Sequence, residues 1–255
     1  MEVFFLSKRE KIIFITGVGS GIGKETAILA VKRNWIVVGF ELNQSALDST
    51  NEEIKMIGGK MLSICGDQAQ EMQCDSAVKQ AIKTFGYIDA LVLSAALVRQ
   101  NQEFTEMKNE IWHENIEINL NGIFYLTQRV VRQMKKQANG SIIFISSVDA
   151  YTGNPDKPQY AMVKGAIVSL NKSIARAYGP NSIRSNCIAP GMTITPLTEE
   201  RCNNPNIRSK YIDTTPLRRL GKPEDIGEAI LFLASESSSW ISGETIHVNG
   251  GAYMA

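Results

Sequence analysis

Tyr160 and Lys164 stand four residues apart at the head of YAMVKGAIVSLNKSIARAYG, an apolar, small-residue stretch of helical character. Positions i and i+4 share one helix face, so a phenol and an ammonium placed there can approach one another or a common third group. A neighbouring ammonium favours phenolate over phenol and lowers a pKa that starts at about 10. Such a pair can move a proton, but the same spacing arises on ordinary surfaces and decides nothing alone. A second candidate is TGVGSGIG, Thr16 to Gly23, which follows one apolar run and opens another. Gly17, Gly21 and Gly23 let the backbone turn tightly and approach a pyrophosphate at the N-terminus of the next helix. Strand, glycine loop and helix in that order are the context a dinucleotide site requires.

Other chemistries find less support. Cys65, Cys74, Cys187 and Cys202 form no C-x-x-C pair, and His113 and His247 are the only histidines. The expectation is reduced thiols, with Cys65 and Cys187 in strands, and no metal site. The 255 residues carry 27 Lys and Arg against 26 Asp and Glu, with no long run of either sign, which argues against nucleic acid or an anionic membrane as partner. The apolar run in MEVFFLSKREK is too short for a signal-peptide core, and nothing approaches the roughly 20 apolar residues of a membrane span. A cytoplasmic address follows by default.

The elements that must hold these residues alternate between strand and helix. Strands are expected at 11–16, 35–41, 60–66, 88–96, 140–147, 182–190 and 243–251, with helical stretches between them, one of them N-capped by Asn43. A long helical region is expected from about Asn109 to Gln137. Short apolar strands separated by helices describe an α/β fold, a seven-stranded parallel sheet covered on both faces. No low-complexity linker interrupts the run, so residues 1–255 read as one domain. The stretch 191–222 stands apart as a long polar loop without clear periodicity, the kind that tends to cover a site.

The glycine spacing here is G-x-x-x-G-x-G. With that loop, Tyr160-x-x-x-Lys164, Ser147 in FISSV thirteen residues before the tyrosine, Asn119 in INLNGIF, Pro190-Gly191 in NCIAPGMTIT, and the C-terminal RLGKPEDIGEAILFLASESSSWISGETIHVNGG, the chain resembles the short-chain dehydrogenase/reductase family over essentially its whole length. The resemblance implies a doubly wound, Rossmann-like fold and hydride transfer between a nicotinamide and a carbinol carbon. It assigns Tyr160 as general acid and base, Lys164 as its electrostatic partner and ribose ligand, Ser147 as holder of the substrate oxygen, and Asn119 as anchor of a proton-conducting water. Lowering the Tyr160 pKa to neutrality takes about three units, or about 4 kcal/mol. Cofactor contacts are expected from Gly17, Ser20, Gly21, Ile22, Gly23, Glu41, Asp67, Gln68, Ala95, Tyr160, Lys164, Pro190, Gly191, Thr193 and Thr195, with Asp67 ending strand three beside the adenine. A homotetramer built on the helices before and after strand five is implied, supported by apolar Ile167, Val168 and Leu170.

Glu41, at the expected end of strand two and 24 residues after Gly17, favours NAD over NADP. A carboxylate accepts from ribose hydroxyls and repels a 2′-phosphate. The nearest base, Lys24, is expected to be solvated. One departure from the family is Leu93-Ser94-Ala95-Ala96 in place of Asn-Asn-Ala-Gly, which would strain Ala96 if its φ were positive. The main expectation is an NAD-dependent oxidoreductase of secondary alcohols and ketones. The rivals are an NADPH-dependent 3-oxoacyl-thioester reductase and a dinucleotide-binding sensor without turnover. The substrate walls are expected at Leu97 to Gln100, Val148 to Asn154 and 192–215; Arg99 and Arg208 could partner an anion, with surface exposure the favoured role for both.

Overall fold

The computed structural model describes residues 9–99 and 103–254. Its β-branched and aromatic runs form seven parallel strands: β1 (Lys11–Thr16), β2 (Trp35–Glu41), β3 (Met61–Cys65), β4 (Ala90–Leu93), β5 (Gly140–Ile145), β6 (Ile183–Pro190) and β7 (Thr245–Val248). Their order is β3-β2-β1-β4-β5-β6-β7, so the sheet reverses direction of growth between β1 and β4. A crevice opens at the carboxyl ends of the strands at such a switch point.

Side chains alternate across each strand, and β1 shows the consequence. Ile12 and Phe14 pack with α3 (Glu71–Phe85), α5 (Gly122–Gln137) and α7 (Pro158–Tyr178) on one face. Ile13 and Ile15 pack with α1 (Gly21–Lys32), α2 (Gln44–Met56) and α10 (Pro223–Ala234) on the other. Both faces are thus covered, which is why the strands read as continuous apolar runs. Asn43 caps α2 by accepting from Ala46 N at 3.0 Å. The long helical region is divided: α4 (Asn109–Ile116), a π turn over Glu117–Asn121, then α5. Such a turn inserts a residue into the helical ladder and re-aims what it carries; here it carries Asn119.

Three differences from the sequence expectation bear on the site. First, β4 stops at Leu93 because the next backbone groups leave the ladder for side chains: Ser94 N and Ala95 N donate to Thr16 Oγ1 at 3.1 and 3.0 Å. Second, β3 ends at Cys65, leaving Asp67 two residues beyond it in a turn where its Oδ1 accepts from Ala69 N at 2.8 Å. Third, 191–222 is not featureless. It contains short helices of its own and is closed at its base by a parallel bridge between Thr193 and Gly221. The helices proper are α6 (Asp149–Thr152), which precedes α7, and, within this segment, α8 (Glu199–Asn203) and α9 (Pro205–Thr214).

The exit of β4 is held by three side chains from three other elements. Besides Thr16, Gln68 Nε2 donates to Ala95 O at 3.2 Å and to Ile118 O at 2.9 Å. Asn119 accepts from Leu97 N through Oδ1 and donates to Leu97 O through Nδ2, both at 2.7 Å. Gln68 and Asn119 are buried, so these bonds have no competing water. Ala96 does not enter the left-handed region, and the feared strain is absent. Gln68→Leu removes both donors and leaves two carbonyls without them. The expected cost is about 1–3 kcal/mol, read as a lower urea midpoint at unchanged slope; an unchanged midpoint would show that the Gln68 bridge does not hold the β4 exit.

Candidate functional site

Two cavities open along the carboxyl edge of the sheet. One, of about 510 Å³, is lined by Gly17, Ser20, Gly21, Ile22, Glu41, Asp67, Gln68 and Ala95 among others. The second, of about 180 Å³, is lined by Ser147, Tyr160, Lys164, Pro190, Gly191 and Thr193. Ile22, Ala96, Thr195 and Leu197 belong to both, so the two form one groove. The residues expected at a dinucleotide and at a proton-transfer centre are therefore brought together. Gly23 and Asn119 are the exceptions among them: neither lines a cavity, and each works from behind the wall.

At the larger cavity the glycines are there for space. Gly17 has φ +71°, and a Cβ on it would lie 2.9 Å from Ala95 Cα. A Cβ on Gly23 would lie 2.2 Å from the Gly17 carbonyl oxygen, so only glycine lets α1 begin this close to the loop. Glu41, the last residue of β2, accepts from Gly19 N through Oε2 and from Asn43 N through Oε1, each at 3.0 Å. Its carboxylate is pinned by two backbone amides at the cavity edge. Lys24, expected in solvent, pairs with Glu53 instead.

The smaller cavity is organised by the junction of β5 and α7. Lys164, on α7, is 2% exposed and donates from Nζ to Ile145 O, the last carbonyl of β5, at 2.7 Å. Ser146 Oγ donates back to Lys164 O at 2.9 Å. Sequence reasoning passed over Ser146, although a buried serine beside the expected catalytic one is the signal it leaves. Ser147 lies two residues past β5 and accepts from Asp149 N at 3.1 Å. Burial lowers the Lys164 pKa to about 8. Nζ lies 5.4 Å from the Tyr160 ring centroid.

Tyr160 is half-buried and lines the cavity. Burial pushes its pKa well above the ordinary phenol value, the Asp149 charge pushes the same way, and a hydrogen bond with Ser147 opposes them. The sequence expectation was a lowered pKa. In the chain alone desolvation of the phenolate prevails, and Lys164 points its proton at a β5 carbonyl rather than at the phenol.

Thr193 is buried, with Oγ1 donating to Gly191 O at 3.0 Å, and Thr195 Oγ1 lies 3.1 Å from Thr198 Oγ1. The residues expected as substrate walls lie in part along the smaller cavity. Val98, Val148, Asp149, Asn154 and Met192 line the smaller cavity, whereas Gln100 lies outside the described residues. Arg99 is committed to Glu114 and Arg208 donates to Cys202 O at 3.4 Å; neither lines the cavity. The cations that do are Lys157 and Arg201, on a turn and a short helix that periodicity does not reveal.

Residues 17–253 match a family model described as enoyl-(acyl carrier protein) reductase. The 3-oxoacyl-[acyl-carrier-protein] reductase FabG of Thermotoga maritima is 36% identical over 241 residues, covering 94% of this chain and 97% of the relative. The protein of the same name from Staphylococcus aureus strain Mu50 is 32% identical, covering 97% and 100%. Among solved structures, a short-chain dehydrogenase/reductase titled glucose/ribitol dehydrogenase from Brucella melitensis superposes with a TM-score of 0.89 at 34% identity, covering 96% and 97%. A short-chain type dehydrogenase/reductase from Mycobacterium ulcerans gives 0.93 at 28%, covering 97% and 91%. With the glycine loop, the Ser147–Tyr160–Lys164 wall and the Asn119 turn in one groove, these likenesses mean that the chain belongs to the short-chain dehydrogenase/reductase family of nicotinamide-dependent oxidoreductases.

Proposed function

We propose that the chain interconverts a secondary alcohol and a ketone with NAD(H), with Tyr160 exchanging the proton. The observation carrying this reading is the single groove in which the glycine-loop cavity runs into the wall made by Ser147, Tyr160 and Lys164. The residues present fit a nicotinamide dinucleotide. An ammonium has three N–H donors, and one of those of Lys164 is committed to Ile145 O, leaving two for ribose hydroxyls. The open N-terminus of α1 behind Gly21 suits a pyrophosphate. When bound, the cofactor accepts or returns the hydride with its electron pair, which is the part of the chemistry no side chain supplies.

The chain's own residues do the rest. In oxidation Tyr160, as phenolate, takes the hydroxyl proton; in reduction it returns one to the carbonyl oxygen. Ser147 holds that oxygen beside the phenol and steadies the charge that develops on it. Asn119 spends both ends of its amide on Leu97, so its contribution to a proton path lies in the backbone of its π turn, where a water can pass protons outward from Lys164. The names of the relatives favour a second reading, reduction of 3-oxoacyl thioesters. The pinned carboxylate of Glu41 favours NAD. A sensor without turnover has lost its support, since the altered β4 exit is unstrained and clamped.

We also propose a homotetramer. Ile167 and Val168 are buried in the chain's own core and Leu170 packs against it, so they do not support one as expected from sequence. The helices offer other apolar groups to a partner: Trp112 on α4, Phe124 on α5 and Met162 on α7 are 37%, 48% and 38% exposed. Light scattering should report four chains at micromolar concentration; a monomer would remove the claim.

Tyr160→Phe deletes one oxygen. It should leave NADH affinity within about threefold and lower kcat by about 10²–10⁴-fold; more than about a tenth of the wild-type rate would exclude a proton-transfer role. For the cofactor, kcat/KM with NAD should exceed that with NADP by roughly a hundredfold, because a desolvated like-charge contact costs several kcal/mol. Glu41→Ser should narrow that ratio. NADPH performing as well as NADH in the wild type would overturn the assignment of Glu41 and strengthen the thioester reading.

A further inference from the structure

Asp149 lines the cavity with Tyr160, and its negative charge opposes ionisation of that phenol. A carboxylate beside a proton-transferring group is a burden unless it serves the substrate. This one is built in. Asn154 Nδ2 donates to Asp149 Oδ2 at 2.8 Å. The Asn154 amide oxygen accepts from the backbone N–H groups of Asp156 and Lys157, both at 3.1 Å. Those two bonds settle which way round the amide lies and aim its NH₂ at Asp149. From the other side, Asp149 N donates to Ser147 Oγ at 3.1 Å. Asp149 and Asn154 both line the cavity with Tyr160. Among the described residues, Asp149 forms no ion pair and its second oxygen, Oδ1, takes no hydrogen bond.

We propose that Asp149 is a specificity-determining residue that accepts a hydrogen bond from a second hydroxyl, on the carbon next to the one that reacts. The substrate class is then a vicinal diol or longer polyol, with the matching hydroxy ketone as product. This deepens the alcohol and ketone reading above and rests on it.

The surrounding charges select a neutral donor. Lys157 and Arg201 line the same cavity, and the Arg201 charge, after burial, is what most depresses the Lys157 ammonium, against the opposite pull of Asp149, Asp156 and Glu200. A substrate ammonium at Asp149 would face these two cations. A substrate carboxylate would face Asp149 itself. A hydroxyl donates to the Asp149 carboxylate, while further hydroxyls can accept from Lys157. A 3-oxoacyl thioester has no donor to offer at that place, only acceptor oxygens and C–H groups.

The test compares kcat/KM with NAD for butane-2,3-diol and for butan-2-ol, which differ by the second hydroxyl, in the wild type, Asp149→Ala and Asp149→Asn. A 3-hydroxybutyryl thioester of N-acetylcysteamine and 3-aminobutan-2-ol complete the panel. The wild type should favour the diol over butan-2-ol by at least about tenfold, the usual worth of a hydrogen bond to a charged group. The ratio should fall to near one in Asp149→Ala and to an intermediate value in Asp149→Asn, whose oxygen is taken by the Asn154 NH₂, so that an NH₂, able only to donate to the hydroxyl, stands where the carboxylate accepted. The same ratio in all three proteins would overturn the proposal, as would the thioester or the amino alcohol outrunning the diol. Turnover of butan-2-ol without preference for the diol sinks only the role of Asp149. No turnover with any of the four, by protein whose melting is cooperative, sinks the alcohol and ketone reading with it.

Discussion

A buried ammonium sets the terms for the rest of this site. Lys164 is almost wholly removed from water, and an ammonium so placed survives only if its N–H groups find acceptors. The chain provides one, the last carbonyl of β5, and Ser146 returns a hydrogen bond to the Lys164 carbonyl. The two bonds lock the start of α7 onto the exit of β5. Tyr160 and Ser147 ride on those two segments, so their meeting is a consequence of the lock. The remaining donors of Lys164 face the groove and give the chain a reason to bind a polyhydroxylated cofactor there.

The same burial acts on both titrating groups of the site. It depresses the Lys164 ammonium and lifts the Tyr160 phenol, and Asp149 lifts the phenol further. Both groups are thereby held toward their neutral forms. Proton transfer near neutral pH needs a positive charge brought against the phenol, and an oxidised nicotinamide is such a charge. The β4 exit that borders both cavities is clamped by Thr16, Gln68 and Asn119.

Much of this was legible in the sequence. β1, β2 and the Asn43 cap fall where apolar patterning and capping chemistry put them, because local preference and tertiary packing agree there. The Tyr160, Lys164 and Ser147 set was legible through ordered motifs rather than through spacing alone. Strand ends were read too long at β3, β4 and β5; at β4 the run of small and apolar residues does not say that its amides leave the ladder for Thr16 Oγ1. Lys157 and Arg201 were missed because they lie on a turn and on the short helix α8, where no period marks a direction. Arg99 lies at the surface, the role favoured for it from sequence, but its partner Glu114 is fifteen residues away and was not foreseen. The Tyr160 shift was read as a lowering, whereas burial of the phenol, which only the packed structure gives, raises it.

The most direct test of this account is the ionisation of Tyr160 itself, with and without cofactor. Phenolate absorbance at 295 nm, titrated on the wild type and on Tyr160→Phe, isolates that one ring by difference. The account predicts that the difference signal is absent up to pH 10 in the free protein and appears at least about two units lower when NAD⁺ is bound. The same titration midpoint in both states, or a Tyr160 already ionised near neutral pH without cofactor, would contradict it.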